Sequence, residues 1–137
     1  MAHSSANAKQ VATALSRGAF EFQGQKCSAA SRAYIPKNLW NAVQKHLLKD
    51  IESMKMGTPE DFSNFINAVI DKRSFDKISY FIAQARKSKK AKIIAGGKCD
   101  KSKGYFIEPT VIVTTDPHYD SMEKEICLLY TSPSPRD

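Results

Sequence analysis

The apolar residues between positions 39 and 54 recur at the spacing of an α-helix, and this repeat constrains the fold more than any other feature of the sequence. Asn38 is the predicted N-cap of this helix, and Gly57 and Pro59 predict its end. A helix with one apolar face must bury that face against another element, so we expect the chain to build a hydrophobic core. The apolar face is formed by Leu39, Val43, Leu47, Ile51 and Met54.

Two more segments show the same helical spacing of apolar residues. Residues 7–22 predict a helix that ends at Gly24. Serine and asparagine are both common N-cap residues, so either Ser5 or Asn7 could cap its start. Residues 74–88 predict a third helix, whose basic end suits the negative pole of the helix dipole.

Short runs rich in strand-forming residues separate these helices. Residues 31–35 predict one strand, and residues 92–95, which a glycine turn follows, predict another. Residues 105–114 predict a longer extended run, in which Pro109 marks an edge or a break. Residues 62–70 are apolar without a regular repeat, and predict a short helix or an irregular connection. The mixed order of helices and strands is that of an α/β protein.

The composition excludes several classes of protein. Of the 137 residues, 42% are hydrophobic and 26% are charged, which is typical of a folded globular domain and not of a disordered chain. No run of about 18 apolar residues is present, so the sequence predicts no membrane span. The net charge of +7 is compatible with nucleic acid, with an anionic cofactor or with neither. The three cysteines, Cys27, Cys99 and Cys127, are too few and too widely spaced for a disulfide framework or a C-x-x-C zinc site, and they favour a reducing compartment.

Cys27 is the sharpest candidate for chemistry. It lies just after Gly24 among small and polar residues, where one helix ends and the next element begins. A thiol at such a junction can be exposed, and nearby backbone N–H groups can stabilise its thiolate. By spacing alone, however, an inert small residue packed at a tight junction is the commoner case. The adjacent Lys26 is expected to be solvated.

The residues around Cys27 resemble the cysteine active-site segment of the aldehyde dehydrogenase superfamily. The resemblance rests on residues 18–29, GAFEFQGQKCSA, and these are most similar to the glutamate semialdehyde (pyrroline-5-carboxylate) dehydrogenase branch. Three further motifs follow in the family's order: AGGK at residues 95–98, GYFIEPT at residues 104–110 and MEKEI at residues 122–126. One such motif alone is weak, but four in register make the resemblance specific. It covers about residues 4–126.

The resemblance implies a fold and a reaction. Residues 1–126 would be part of the family's catalytic domain, an α/β fold with an open twisted sheet and flanking helices. The activity would be the NAD-dependent oxidation of L-glutamate γ-semialdehyde to glutamate in proline catabolism. Cys27 would be the nucleophile, and its backbone N–H would help to hold the oxyanion. Ser28 would help to bind the carboxylate of the substrate, and Glu125 would bind the ribose hydroxyls of NAD.

The resemblance also implies what the chain lacks. The family's general-base glutamate, its oxyanion asparagine and its cofactor domain precede the cysteine, so we expect an internal fragment that is inactive alone. The parent enzyme is expected to be a homo-oligomer in the mitochondrial matrix that takes a small aldehyde and has no nucleic-acid or membrane partner. Residues 127–137 depart from the family's pattern, and we expect them to be a disordered foreign tail.

Other functions would use other residues. If the chain belonged to another branch of the same family, Cys27 would still be the nucleophile, but the substrate would be a different aldehyde. A cysteine hydrolase would pair Cys27 with His46 or His118, although the papain-type residues around the cysteine are missing. A module that binds nucleic acid without catalysis would use the basic run at residues 86–92, which has no interleaved aromatic residues.

Overall fold

The computed structural model describes residues 1–124 and residue 126, which form helices and short strands. The predictions made for Glu125 and for residues 127–137 lie outside the described residues. In chain order the elements are α1 (Ala8–Phe20), a 3₁₀ segment (Glu21–Gly24), α2 (Lys37–Glu52), α3 (Lys72–Lys87), β1 (Ala91–Ala95), β2 (Cys99–Asp100), β3 (Phe106–Ile107), β4 (Val111–Thr114) and α4 (Asp120–Glu123).

Helices α1 and α2 pack against each other, and α2 does so through the apolar face that its sequence predicts. Ala12 on α1 and Val43 on α2 are completely buried, and Leu47 is 5% exposed. Burying one such Val or Leu side chain contributes about 1.5–3 kcal/mol. The buried hydroxyl of Ser16 donates to Oδ2 of Asp50 at 3.0 Å, so the polar group within this interface is satisfied.

The N-termini of α1 and α2 are capped in different ways. The side-chain oxygen of Asn7 accepts from two backbone N–H groups of the first turn of α1, at 3.0 and 3.1 Å, which confirms Asn7 as the cap. Helix α2 begins at Lys37 with Pro36 as its N-cap, so the prediction of Asn38 as the cap is wrong. The fixed φ of proline suits the start of a helix. The amide of Asn38 instead donates to the carbonyl oxygen of Ser4 at 3.0 Å.

Helix α3 begins earlier than predicted and forms a second core with the segment before it. The carboxylate of Asp71 accepts from the backbone N–H of Ser74 at 2.7 Å, and this hydrogen bond lowers the pKa of Asp71. Asp71 is therefore the N-cap. The predicted start is late because the first two residues of the helix, Lys72 and Arg73, are charged and do not belong to the apolar repeat. The buried residues of this core are Val69, Phe75, Ile82 and Ile107.

The strands form two antiparallel pairs. Strand β1 pairs with β4, with Ala91 opposite Thr114 and Ile93 opposite Ile112, which confirms the strand predicted at residues 92–95. The run predicted at residues 105–114 is divided into β3 and β4 by a break that contains Pro109. Strand β2 pairs with β3, with Cys99 opposite Ile107, and the sequence predicted no strand at residues 99–100.

Residues 31–35 are not a strand, so this prediction is wrong. A strand is defined by its ladder of hydrogen bonds, and no strand of the described residues pairs with this segment. Within this segment, the carbonyl oxygen of Tyr34 accepts a hydrogen bond from the backbone N–H of Ala2 at 2.9 Å. Residues 62–70 form an irregular connection, one of the two predicted alternatives, with a single bridge between Met56 and Ile66. None of the helices in residues 1–124 has the length and apolar content that crossing a bilayer requires.

Candidate active site

Cys27 lies in an exposed turn that directly follows the 3₁₀ segment. The backbone N–H of Ala29 donates to the carbonyl oxygen of Lys26 at 3.0 Å and closes the turn around Cys27 and Ser28. Both of these side chains are exposed. Within residues 1–124 and 126, the backbone N–H of Cys27 donates to no protein acceptor. A thiol and an open N–H donor therefore belong to the same exposed residue, which is the arrangement that attack on a carbonyl group requires.

The backbone leading to this turn is strained. Phe22 and Gln23 adopt the left-handed conformation with φ of 55° and 57°, and Gly24 follows with φ of 69°. A left-handed residue other than glycine costs on the order of 1–3 kcal/mol and persists where its surroundings hold it. At Gly24 a Cβ atom would lie 2.7 Å from the carbonyl oxygen of Ala19, so a glycine is required there. No sequence signal marks an aromatic residue for positive φ, and the strain at Phe22 was not predicted.

Lys26, the neighbour of Cys27, forms an ion pair across this loop. Its ammonium nitrogen lies 2.7 Å from Oε2 of Glu21, and both side chains are about half exposed. The hydrogen bond from Lys26 and its positive charge lower the pKa of the Glu21 carboxyl group, and Arg17 adds a weaker effect. Lys26 is thus partly exposed and paired, which refines the expectation of a solvated lysine.

Cys27 faces a large open cavity with mainly apolar walls. The cavity volume is about 1140 Å³, at or above the upper end of the usual range for ligand sites. Its walls come from the end of α1, from residues 29–37 and from β4 with the residues that follow it. Ser28 lies on the same turn as Cys27 but is not among the lining residues. Its predicted contact with a substrate carboxylate therefore stays a prediction.

The segment that carries the last family-like motif meets the segment after Cys27. Nη1 of Arg32 donates to the carbonyl oxygen of Met122 at 2.9 Å, across 90 positions of sequence. Met122 and residue 126 both line the cavity that Cys27 lines. Glu125 itself is outside the described residues, so its predicted role stays a prediction.

The two histidines of the alternative hydrolase do not reach Cys27. Neither His46 nor His118 is among the described residues that line the cavity of Cys27. Nδ1 of His118 instead lies 2.5 Å from Oε1 of Glu123. This hydrogen bond and the negative charge of Glu123 raise the pKa of His118. The described part of the chain therefore offers no cysteine–histidine pair.

The basic run at residues 86–92 is partly used inside the protein. Nη2 of Arg86 donates to the carbonyl oxygen of Gly97 at 2.7 Å and so holds the glycine turn after β1. Nζ of Lys90 lies 3.0 Å from Oδ2 of Asp116. These contacts give the run a structural role, which weakens the alternative of a binding module.

Comparison with known proteins links the chain to one family. Residues 1–128 match the model of the aldehyde dehydrogenase family. The chain is 54% identical over 124 residues to the mitochondrial delta-1-pyrroline-5-carboxylate dehydrogenase of Dictyostelium discoideum, and 46% identical over 125 residues to that of Homo sapiens. These alignments cover 90% of this chain and 22% of each relative, so the chain spans about a fifth of their length.

A solved structure shows the same fold. The crystal structure of the delta-pyrroline-5-carboxylate dehydrogenase from Mycobacterium tuberculosis bound with NAD superimposes with a TM-score of 0.79 at 42% identity. The superposition covers 85% of this chain and 22% of that one. The predicted α/β class, with strands and flanking helices as in this family, is confirmed.

Proposed function

The chain belongs to the aldehyde dehydrogenase family, and from this premise we propose that it supplies the nucleophile segment of an NAD-dependent enzyme that oxidises L-glutamate γ-semialdehyde to glutamate. The observation that carries the proposal is the placement of Cys27 in an exposed turn, after a strained loop and at a large cavity. Relatives named as pyrroline-5-carboxylate dehydrogenases, at 46% and 54% identity, support this choice of aldehyde.

Cys27 provides the covalent chemistry in this proposal. Its thiolate attacks the aldehyde carbon, a C–S bond forms, and the carbonyl electron pair moves to oxygen to give a thiohemiacetal anion. The backbone N–H of Cys27 donates to that oxygen as its charge develops. NAD, when bound, supplies the acceptor for the hydride that leaves this carbon. Water then attacks the thioester that remains on Cys27, the C–S bond breaks, and glutamate leaves while the sulfur returns as a thiolate.

The described residues are compatible with a nicotinamide cofactor beside Cys27. Arg32 donates to the carbonyl oxygen of Met122, and Met122 lines the cavity together with Cys27. In this proposal the carboxylate of Glu125 accepts hydrogen bonds from the ribose hydroxyls, for which a charged acceptor is well suited. Ser28, beside the nucleophile, donates to the carboxylate of the substrate.

The wider setting is part of the same proposal. Residues 1–126 form a part of the catalytic domain, and the remaining catalytic groups come from sequence outside these residues. The relatives are named as mitochondrial, which supports a matrix location and a role in proline catabolism. The working enzyme is a homo-oligomer.

A chimera tests this function. Residues 1–126 replace the matching segment of the Dictyostelium discoideum relative, and NADH formation is followed with glutamate γ-semialdehyde as substrate. We expect turnover, and we expect Cys27→Ala to lower kcat by on the order of 10³ or more, because the nucleophile is lost. The matched control is Cys99→Ala, which removes a thiol from β2 that is not among the residues lining the cavity.

Two results would overturn the proposal. One is a folded chimera with Cys27 intact that produces no NADH from this aldehyde. The other is a Cys27→Ala chimera that turns over like the Cys99→Ala control. A chimera that oxidises a different aldehyde faster would assign the chain to another branch of the family.

A further inference from the structure

We propose that Gln25 is a positioning residue that holds the turn of Cys27 in place, an inference that rests on the proposed function. Gln25 lies between the strained loop and Cys27, and it is not among the residues that line the cavity. It therefore does not act by touching a substrate. Its side chain instead connects the loop to a separate part of the fold.

The anchor for this connection is the irregular segment at residues 67–70. Val69 is 6% exposed and belongs to the core that α3 forms, and its backbone N–H donates to the carbonyl oxygen of Tyr105 at 2.9 Å. Nδ2 of Asn67 donates to the carbonyl oxygen of Gly57 at 3.0 Å. The segment is thus fixed on two sides, by the core and by the preceding loop.

Gln25 forms hydrogen bonds both to this anchor segment and to the strained loop. Its Oε1 accepts from the backbone N–H of Ile70 at 3.0 Å, across 45 positions of sequence. Its Nε2 donates to the carbonyl oxygen of Phe22 at 3.4 Å, and its own backbone N–H donates to the same oxygen at 3.0 Å. With the Gln23 amide oriented so that its oxygen faces Asn67, that oxygen accepts from the Asn67 N–H at 2.6 Å. Two glutamines of the loop therefore bond to one anchored segment.

The strain of the loop explains why hydrogen bonds are needed to hold it in this conformation. Phe22 and Gln23 hold left-handed conformations that they would leave if the loop were free. The loop is also bridged by the ion pair of Glu21 with Lys26, which is exposed and contributes little, and by a hydrogen bond from the backbone N–H of Ala30 to the carbonyl oxygen of Gly18 at 2.9 Å. The hydrogen bond that Gln25 accepts from Ile70, which is itself exposed, ties the loop to the segment that the buried Val69 anchors, so we expect it to help fix where the next turn begins.

Fixing the turn matters for the reaction and not only for the fold. Attack on a carbonyl carbon requires the sulfur and the carbon to approach to about 3–3.5 Å along a defined direction, and a displacement of about 1 Å can cost a factor of up to about 10² in rate. A loose turn would therefore lower kcat, while cofactor binding, which uses other residues, would be preserved.

The test uses the same chimera with three substitutions at one position. Gln25→Met removes the acceptor, Gln25→Asn keeps an amide that is too short to reach Ile70, and Gln25→Glu restores an acceptor oxygen. Gln10→Met, on the exposed side of α1, is the matched control. Hydrogen–deuterium exchange of a peptide that covers residues 21–29 is measured together with kcat and the KM for NAD.

We expect faster exchange of this peptide in Gln25→Met and Gln25→Asn, with kcat lower by about tenfold to 100-fold and the KM for NAD within about twofold. We expect Gln25→Glu, which keeps the acceptor for Ile70 but loses the donor to Phe22, to recover part of both losses, and Gln10→Met to change neither. Unchanged exchange in both Gln25→Met and Gln25→Asn would show that Gln25 does not hold the turn and would overturn the proposal. Faster exchange with an unchanged kcat would also overturn it, because the role of Gln25 would then be purely structural. If the unmutated chimera makes no NADH, the proposed function fails, while the exchange data still decide whether Gln25 holds the turn.

Discussion

Arg32 and Met122 are joined by a hydrogen bond of 2.9 Å from Nη1 of the arginine to the carbonyl oxygen of the methionine, although 90 positions separate them. Arg32 follows the turn of Cys27, and Met122 lies in α4 at the start of the MEKEI motif. The bond thus connects the stretch that follows the motif of Cys27 to the first residue of the MEKEI motif. It joins in space two stretches that the sequence shows only as separate.

Replacing Arg32 should weaken cofactor binding. Arg32→Met in the chimera removes the donor to Met122 and loosens the segment that carries Glu125. We expect the dissociation constant for NAD to rise about threefold to tenfold, the usual size of one lost hydrogen bond. Titration with NAD by calorimetry measures this, and Arg73→Met, an exposed arginine on α3, is the control. Equal affinity for NAD in Arg32→Met and Arg73→Met would show that Arg32 does not contribute to cofactor binding.

Gly24→Ala should destabilise the protein because the residue has φ of 69° and its new Cβ would meet the carbonyl oxygen of Ala19. We expect a loss of about 1–3 kcal/mol in the free energy of unfolding. The control is Gly18→Ala within α1, where the new Cβ would make only an ordinary contact of 3.5 Å with Ala30. Alanine favours a helix over glycine, so this control should stabilise by about 0.5–1 kcal/mol. Urea unfolding of the chain, followed by Trp40 fluorescence, distinguishes the two.

The helices could be predicted from the sequence because their pattern is local. The apolar repeats of α1, α2 and α3 and the capping side chain of Asn7 lie within a few residues of the structure that they specify. The predicted start of α2 is wrong because Pro36 and Asn38 are both suited to a helix start, and the Asn38 side chain instead bonds to the distant Ser4.

Features that depend on distant partners could not be predicted in this way. Residues 31–35 have the composition of a strand, but pairing decides whether a strand forms. Cys27 could be identified from its local motif, and the structure places it in an exposed turn, while its chemical role stays a prediction. The hydrogen bond from Ile70 to Gln25 could not be foreseen, since no local pattern brings these residues together.

Leu47→Ala should remove a large part of the contact between α1 and α2. Leu47 is 5% exposed and packs in the core with Ala12 and Val43, so truncation leaves a cavity. We expect a loss of about 2–5 kcal/mol in the free energy of unfolding. Phe62→Ala is the control, because Phe62 is 96% exposed and its loss should change stability by no more than about 0.5 kcal/mol. Urea unfolding measures both variants, and a similar loss in the two would contradict the packing described for α2.

Glu123→Gln should bring the pKa of His118 back toward its ordinary value of 6.5. The hydrogen bond that the His118 ring donates to Glu123, and the negative charge of Glu123, raise that pKa in the folded chain, and Asp116 adds a smaller effect. A raised histidine pKa means that the charged pair stabilises the fold fully below pH 6.5, and that this contribution is lost as the pH rises through the folded value. Titration of the His118 ring protons by NMR should show a midpoint above 6.5 in the unmodified chain and a lower one in the variant. Glu52→Gln, at the end of α2, is the control and should leave the His118 midpoint unchanged, whereas an equal shift in both variants would mean that net charge, and not the contact with Glu123, sets this pKa.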